Sequence, residues 1–179
     1  MSDNVSEVVK LLHQVPLPPG ERIPTGVAEP ELTAFTVRTG VKLPSSLRTW
    51  LTITNGPSIG AWGLFGIDPR QEYLNVEHHY QRYPSWMQKK WIPVAGDGHA
   101  HYYVLITWEE YGPGFPVVYV DANISVDTPT YVVASDLWYF LRALLEKERS
   151  STRWPFDKEE LLAFDPEIAR FEGVAMPWK

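Results

Sequence analysis

Between Trp91 and Leu141 the chain carries six carboxylates and no Lys or Arg: Asp97, Glu109, Glu110, Asp121, Asp127 and Asp136, interleaved with Tyr and Trp. The other sixteen acids balance the sixteen basic residues, so the whole net charge of −6 resides in this stretch. An anionic, aromatic segment has the chemistry of recognition. Its field acts over ~8–10 Å at physiological salt and speeds encounter with a basic protein. Three other patterns bear on catalysis. His99 and His101 alternate, as two imidazoles gripping one ion from a strand face would, with Asp97 as a third ligand and His78–His79 approaching from elsewhere. That alternative, a metal-dependent enzyme, needs further convergent ligands. Gly56-Pro57-Ser58-Ile59-Gly60 has the letters of a nucleophile elbow, but an elbow needs a strand before the Ser and a helix after it, whereas here a helix ends and a strand follows. Glu109 and Glu110 are strand neighbours facing opposite ways, which excludes an acid/base dyad.

These residues must be positioned by elements legible in the chain. Val5, Val8, Val9 and Leu12 have helical spacing over 3–14, and Pro16, Pro18, Pro19 and Gly20 end that helix. A second helix opens at Pro30, carries Leu32, Phe35 and Val37, and closes at Gly40. A third follows Pro44 with Leu47, Trp50, Leu51 and Ile53 on one stripe, which makes an αα-hairpin. Residues 62–67 read as a strand, and 71–89 as helix interrupted at Pro84. Strand signals follow at 91–96, 101–110, 115–122 and 130–134, joined by connections short enough to require antiparallel neighbours. A helix from Asp136 to Arg149 is capped by Ser135, and the tail has starts at Asp157, with Glu160, and at Asp165-Pro166. Alternation puts Tyr102, Val104, Ile106 and Trp108 on one face of their strand, and His101, Tyr103, Leu105, Thr107 and Glu109 on the other. Helices are expected over the first face, leaving Tyr103, Glu109, Tyr119 and Asp121 accessible together.

Composition bounds the classes. At 179 residues the chain fits one domain able to bury about 70% of its unfolded surface. It has no Cys, which excludes disulfides, thiolate nucleophiles and Cys-based zinc sites and suits the reducing cytoplasm. The start, MSDNVSEVVKLLHQ, lacks the basic and apolar regions of a signal peptide, and no apolar run is long enough for a membrane span. A net negative charge with no basic stripe excludes nucleic acid as the expected partner. No cofactor-binding motif is present: Gly96-Asp97-Gly98 lacks the Lys-Ser/Thr and following helix of a phosphate loop.

Three blocks in this order resemble the SUKH superfamily. They are Pro30-Glu31-Leu32…Phe35…Thr39-Gly40-Val41-Lys42-Leu43-Pro44-Ser45-Ser46-Leu47-Arg48…Trp50-Leu51…Thr54-Asn55-Gly56; Leu64-Phe65-Gly66-Ile67; and Trp91-Ile92-Pro93-Val94-Ala95-Gly96-Asp97-Gly98 with Tyr102-Tyr103-Val104-Leu105 and Val117-Val118-Tyr119-Val120-Asp121. That superfamily includes bacterial immunity proteins and fungal cell-wall synthesis regulators of the Smi/Knr type. The resemblance implies a single α+β domain, an antiparallel sheet with helices packed mainly on one face, and a protein-binding role without a catalytic centre. The expected organisation is an N-terminal helix and Pro-rich linker (1–28), a SUKH-like core (29–149) and a helical C-terminal extension packed on it (150–179). The resulting expectation is a cytoplasmic immunity protein that neutralises a basic toxin domain through Tyr103, Glu109, Tyr119 and Asp121, with Asp97 and Asp127 at the rim. A regulatory or scaffolding module is the second expectation. The identity of the toxin and the oligomeric state have no motif in the chain.

Overall fold

The computed structural model describes residues 3–17, 20–107, 114–150, 152–171 and 175–178. Helix α1 spans Asp3–Leu12, α2 Glu29–Thr39 and α3 Ser45–Ile53. Strands β1 (Ser58–Ile59) and β2 (Trp62–Leu64) form a small hairpin, followed by helices α4 (Val76–Arg82) and α5 (Pro84–Gln88). Then come β3 (Trp91–Gly96), β4 (His101–Ile106), β5 (Val117–Asp121), β6 (Tyr131–Ala134), α6 (Leu137–Arg149) and α7 (Lys158–Phe164). The six strands pair in chain order as one antiparallel meander, so the fold is a single α+β domain.

Local chemistry explains the boundaries. The Glu31 carboxylate accepts the Ala28 N–H at 3.1 Å, and acids in the first turn of α2 complement its dipole. Gly40 closes the helix at φ +66°, donating its N–H to Thr36 O. Leu32 and Phe35 are buried, but Val37 is 78% exposed, because two residues beyond Phe35 is the opposite side of a helix. Pro84 ends α4 and opens α5, as a first-turn Pro does. At the start of α6 it is Asp136, not Ser135, whose side chain accepts from Tyr139 N–H (2.9 Å). Ser135 gives both its N–H and its hydroxyl to the buried Asp165 carboxylate, each at 2.6 Å, which ties the C-terminal extension to the end of β6. Burial pushes the Asp165 carboxyl up, against the pull of these two bonds.

Asn55, just past the αα-hairpin, is hydrogen-bonded to the segment that follows β2. Asn55 Nδ2 donates to Ile67 O at 2.9 Å, and Asn55 Oδ1 accepts Ile67 N–H at 2.8 Å. Between them Gly66 donates to Leu74 O (2.8 Å) and accepts from Val76 N–H (3.0 Å), so a β-carbon there would collide with Asn55 Oδ1. Two of the sequence blocks are therefore one contact. In β3 the register shifts between Pro93 and Ala95, and the bulged Val94 carbonyl accepts Phe65 N–H (2.9 Å). The C-terminal segment covers the edge of β6, where Val132 N–H reaches Ala175 O (3.0 Å).

Helical cover reaches both sides of β4. Tyr102 packs on His79, Tyr83 and Trp86 of the α4–α5 region, with ring centroids 5.2–5.6 Å apart. Tyr103, its neighbour and so on the opposite face, packs on Phe140 of α6 (4.9 Å) and on Trp154 (5.9 Å).

Replacing Asn55 with Ala strands the Ile67 N–H and C=O and should cost about 1–3 kcal/mol in urea denaturation. Gly66→Ala should also destabilise, and less so in an Asn55→Ala background, because the colliding oxygen is gone. Strictly additive losses would refute this coupling.

Candidate protein-interaction face

The β3–β4 turn builds one end of the site. Asp97 Oδ1 accepts the backbone N–H of His99 (2.7 Å) and of His101 (3.2 Å), and Oδ2 accepts His101 Nδ1–H at 2.6 Å. Gly98 and Ala100 take positive φ (+77° and +72°), so the chain reverses tightly around this carboxylate. Partial burial is the largest single influence on Asp97 and pushes it up. The bonds from His101 and from the two backbone N–H groups outweigh it and hold the carboxyl below the usual range. Asp97 is therefore an ionised acceptor, which places a proton on His101 Nδ1.

Register does the rest. His101 lies opposite Asp121, and Tyr103, Tyr119 and Tyr131 lie abreast on β4, β5 and β6. The outcome is an aromatic ladder across three strands. His101 stacks on Tyr119 (6.0 Å, 22°), Tyr119 on Tyr131 (4.9 Å, 9°), and Tyr131 meets Phe156 edge-on (6.0 Å, 68°). Tyr119 and Tyr131 are half-buried and Phe156 is 58% exposed. Burial pushes the Tyr131 hydroxyl up to about 12, and burial with the charges of Asp121 and Asp97 raises Tyr119. Asp121 Oδ1 accepts Asn123 N–H (2.9 Å), shaping the turn after β5.

The structure brings together Asp97, Tyr119 and Asp121 and separates the rest. Tyr103 is only 4% exposed, contrary to the expectation of an accessible ring: Phe140, Trp154, Trp62 and Tyr119 enclose it, so it is the floor of the ladder. Asp127 is exposed but lies beside α5, where Lys89 Nζ donates to it at 3.0 Å. Glu109 lies outside the described residues. Neither Asp97 nor Asp121 pairs with a Lys or Arg among the described residues. Sequence reading missed Tyr131 and Phe156 as members. The first carries a signal in strand alternation, whereas the second reaches the ladder only through the fold of the C-terminal extension.

The catalytic patterns do not converge. No group of three His, Asp or Glu residues placed to hold a metal ion occurs among the described residues. His101 is occupied by Asp97, and His99 is exposed. His79 lies on the other side of the sheet, stacked on Phe65 (4.0 Å) and donating Nε2–H to Tyr73 O (3.0 Å). Ser58 lies on β1 after a turn out of α3, without the strand and helix of an elbow.

A model of the SMI1 / KNR4 family (SUKH-1) matches residues 26–143, from just before α2 to the middle of α6 and across the whole sheet. No curated protein matches the chain. Helix α1 and the segment bearing Trp154 and Phe156 lie outside the match.

Burial lowers His79 to about 4; its bond to Tyr73 O opposes this, and His78 and Arg82 reinforce it. Between about 6.5 and 4 the unfolded chain therefore binds a proton that the folded chain refuses, so stability should fall as pH drops through this window. His79→Phe, which keeps the stack on Phe65, should flatten that slope in chemical denaturation at pH 7, 5.5 and 4. When the series is carried on below the ordinary carboxylate range, a second loss should follow protonation of Asp97 and vanish in Asp97→Asn. Unchanged slopes in both variants would refute these assignments.

Proposed function

The chain belongs to the SMI1/KNR4 (SUKH-1) family, and from that premise we propose that it is a non-enzymatic immunity protein that neutralises a cognate toxin by binding it. Members of this family are generally non-enzymatic immunity or regulatory proteins, and membership supports a protein-binding role. No helix among the described residues is long and apolar enough to cross a membrane, and we place the protein in the cytoplasm of the toxin-producing cell. The observation that carries the reading is the ladder of His101, Tyr119, Tyr131 and Phe156 beside two carboxylates, Asp97 and Asp121, that no Lys or Arg of the described residues neutralises.

Such a face suits a basic partner. Flat rings supply contact area at low entropic cost, and the carboxylates steer and orient the encounter. An interface of ordinary size buries about 1,600 Å² in total, so the ladder would be its centre and not its whole extent. Asp127, already held by Lys89, contributes only through its longer-range charge. Its replacement changes association rate and salt dependence, not complex lifetime.

The test is co-expression with the C-terminal domain of a toxin encoded beside this gene, followed by pull-down and titration. Replacing Tyr119 and Asp121 together with Ala should weaken the complex by about 30-fold or more, mainly through faster dissociation, and abolish protection. Unaltered affinity and protection would remove this face from the interface. The absence of any toxin gene nearby, with capture of a cellular protein instead, would favour the regulatory role.

A further inference from the structure

We infer that the interaction face extends past the ladder, across β3 to the β1–β2 hairpin, and that Trp62 is its aromatic anchor on that side. This rests on the proposed binding role of the face and specifies its extent. The first observation is register. Gly63 pairs with Gly96, so Trp62, one step further along, stands opposite Asp97. Asp97 N–H donates to His101 O at 3.3 Å, and His101 pairs with Asp121. Trp62, Asp97, His101 and Asp121 therefore form one row across the ends of neighbouring strands, from β2 to β5. Trp62 and Asp97 also border one cleft, which independently marks them as neighbours.

The second observation is a shared support. The Trp62 ring packs on Tyr103 with centroids 4.6 Å apart, and the Tyr119 ring meets Tyr103 from the other side at 5.8 Å. Trp62, Tyr119 and Tyr131 are alike in being partly buried against the core, whereas Tyr103 beneath them is buried. Ring contacts thus run without a break from Trp62 on β2 through Tyr103, Tyr119 and Tyr131 to Phe156 beyond β6. At about 4.8 Å per strand, β2 to β6 spans roughly 19 Å, against roughly 10 Å for the part of the ladder on β4–β6. An ordinary interface covers about 800 Å² per partner, a disc about 30 Å across, so the ladder by itself is too short and the longer run approaches what is needed. Asp97 and Asp121 then lie between aromatic flanks, Trp62 on one side and Tyr131 with Phe156 on the other. A cationic partner group that approaches them is shielded from water on both sides. Tryptophan is among the residues that dominate such interfaces, and a ring already seated on Tyr103 loses little freedom on binding.

The experiment titrates the full-length protein with the toxin domain of the co-expression test. Trp62→Ala should weaken the complex by about 10-fold or more, chiefly through faster dissociation. Trp62→Phe, which keeps a ring on Tyr103, should weaken it less. A second readout needs no variant: the indole N–H resonance of Trp62, assigned in the wild-type protein, should shift when the toxin domain is added. An unmoved resonance would overturn the inference whatever the affinities, because a loss in Trp62→Ala would then report only damage to the packing of Tyr103. Weakened binding by the Tyr119→Ala, Asp121→Ala double variant with none in Trp62→Ala would also overturn it, while leaving the proposed role of the ladder standing. If no variant differs from the wild type, or no complex forms, the face and this inference fall together.

Discussion

Two neighbouring tyrosines on β4 must bury their rings on opposite sides of one strand, and the domain is arranged around that demand. Tyr102 is roofed by His79, Tyr83 and Trp86, and Tyr103 by Phe140 and Trp154. A strand buried on both faces forfeits the solvent-exposed side that an antiparallel sheet otherwise keeps. The central sheet is therefore core, and partly open ground on the Tyr103 face is found where the rings of β4, β5 and β6 run out past the helices, at His101, Tyr119 and Tyr131. The location of the candidate face is a consequence of packing at the centre.

The carboxylates at this end serve the fold and the surface together. Asp97 organises the β3–β4 turn with three hydrogen bonds, one of them from the His101 ring, while Asp121 shapes the turn after β5 through one of its oxygens. Their charge is presented by rigid backbone and not by long mobile side chains, which favours specific recognition over loose attraction. Asp127 and Asp136 belong to a different account: one is neutralised by Lys89 and the other caps α6. A run of like charge in the chain thus divides, in space, into structural and presented groups.

The parts outside the family match are integral to the domain. Helix α1 packs along α6, with Arg142 reaching Asn4 Oδ1 at 3.5 Å. The C-terminal extension is anchored by Asp165 at Ser135 and by Ala175 at the β6 edge; it delivers Trp154 to the core and Phe156 to the ladder. A shared core with a terminal segment that completes the exposed face gives one fold a route to different partners.

What the chain determined by itself was the local grammar. Gly40, Pro44 and Pro84 set helix limits because their backbone preferences hold in any context, and short Gly- and Pro-containing connections permitted only an antiparallel meander. Strand alternation correctly put Tyr119 and Asp121 on one side and Val118 and Val120 on the other. Alternation assigns a residue to a face, but it carries no information about what covers that face. That is why Tyr103 read as accessible and is buried. Pairings across long separations (Lys89 with Asp127, Ser135 with Asp165, Tyr131 with Phe156) were decided only by the tertiary structure, since each depends on the packing of elements whose relative placement no local pattern encodes.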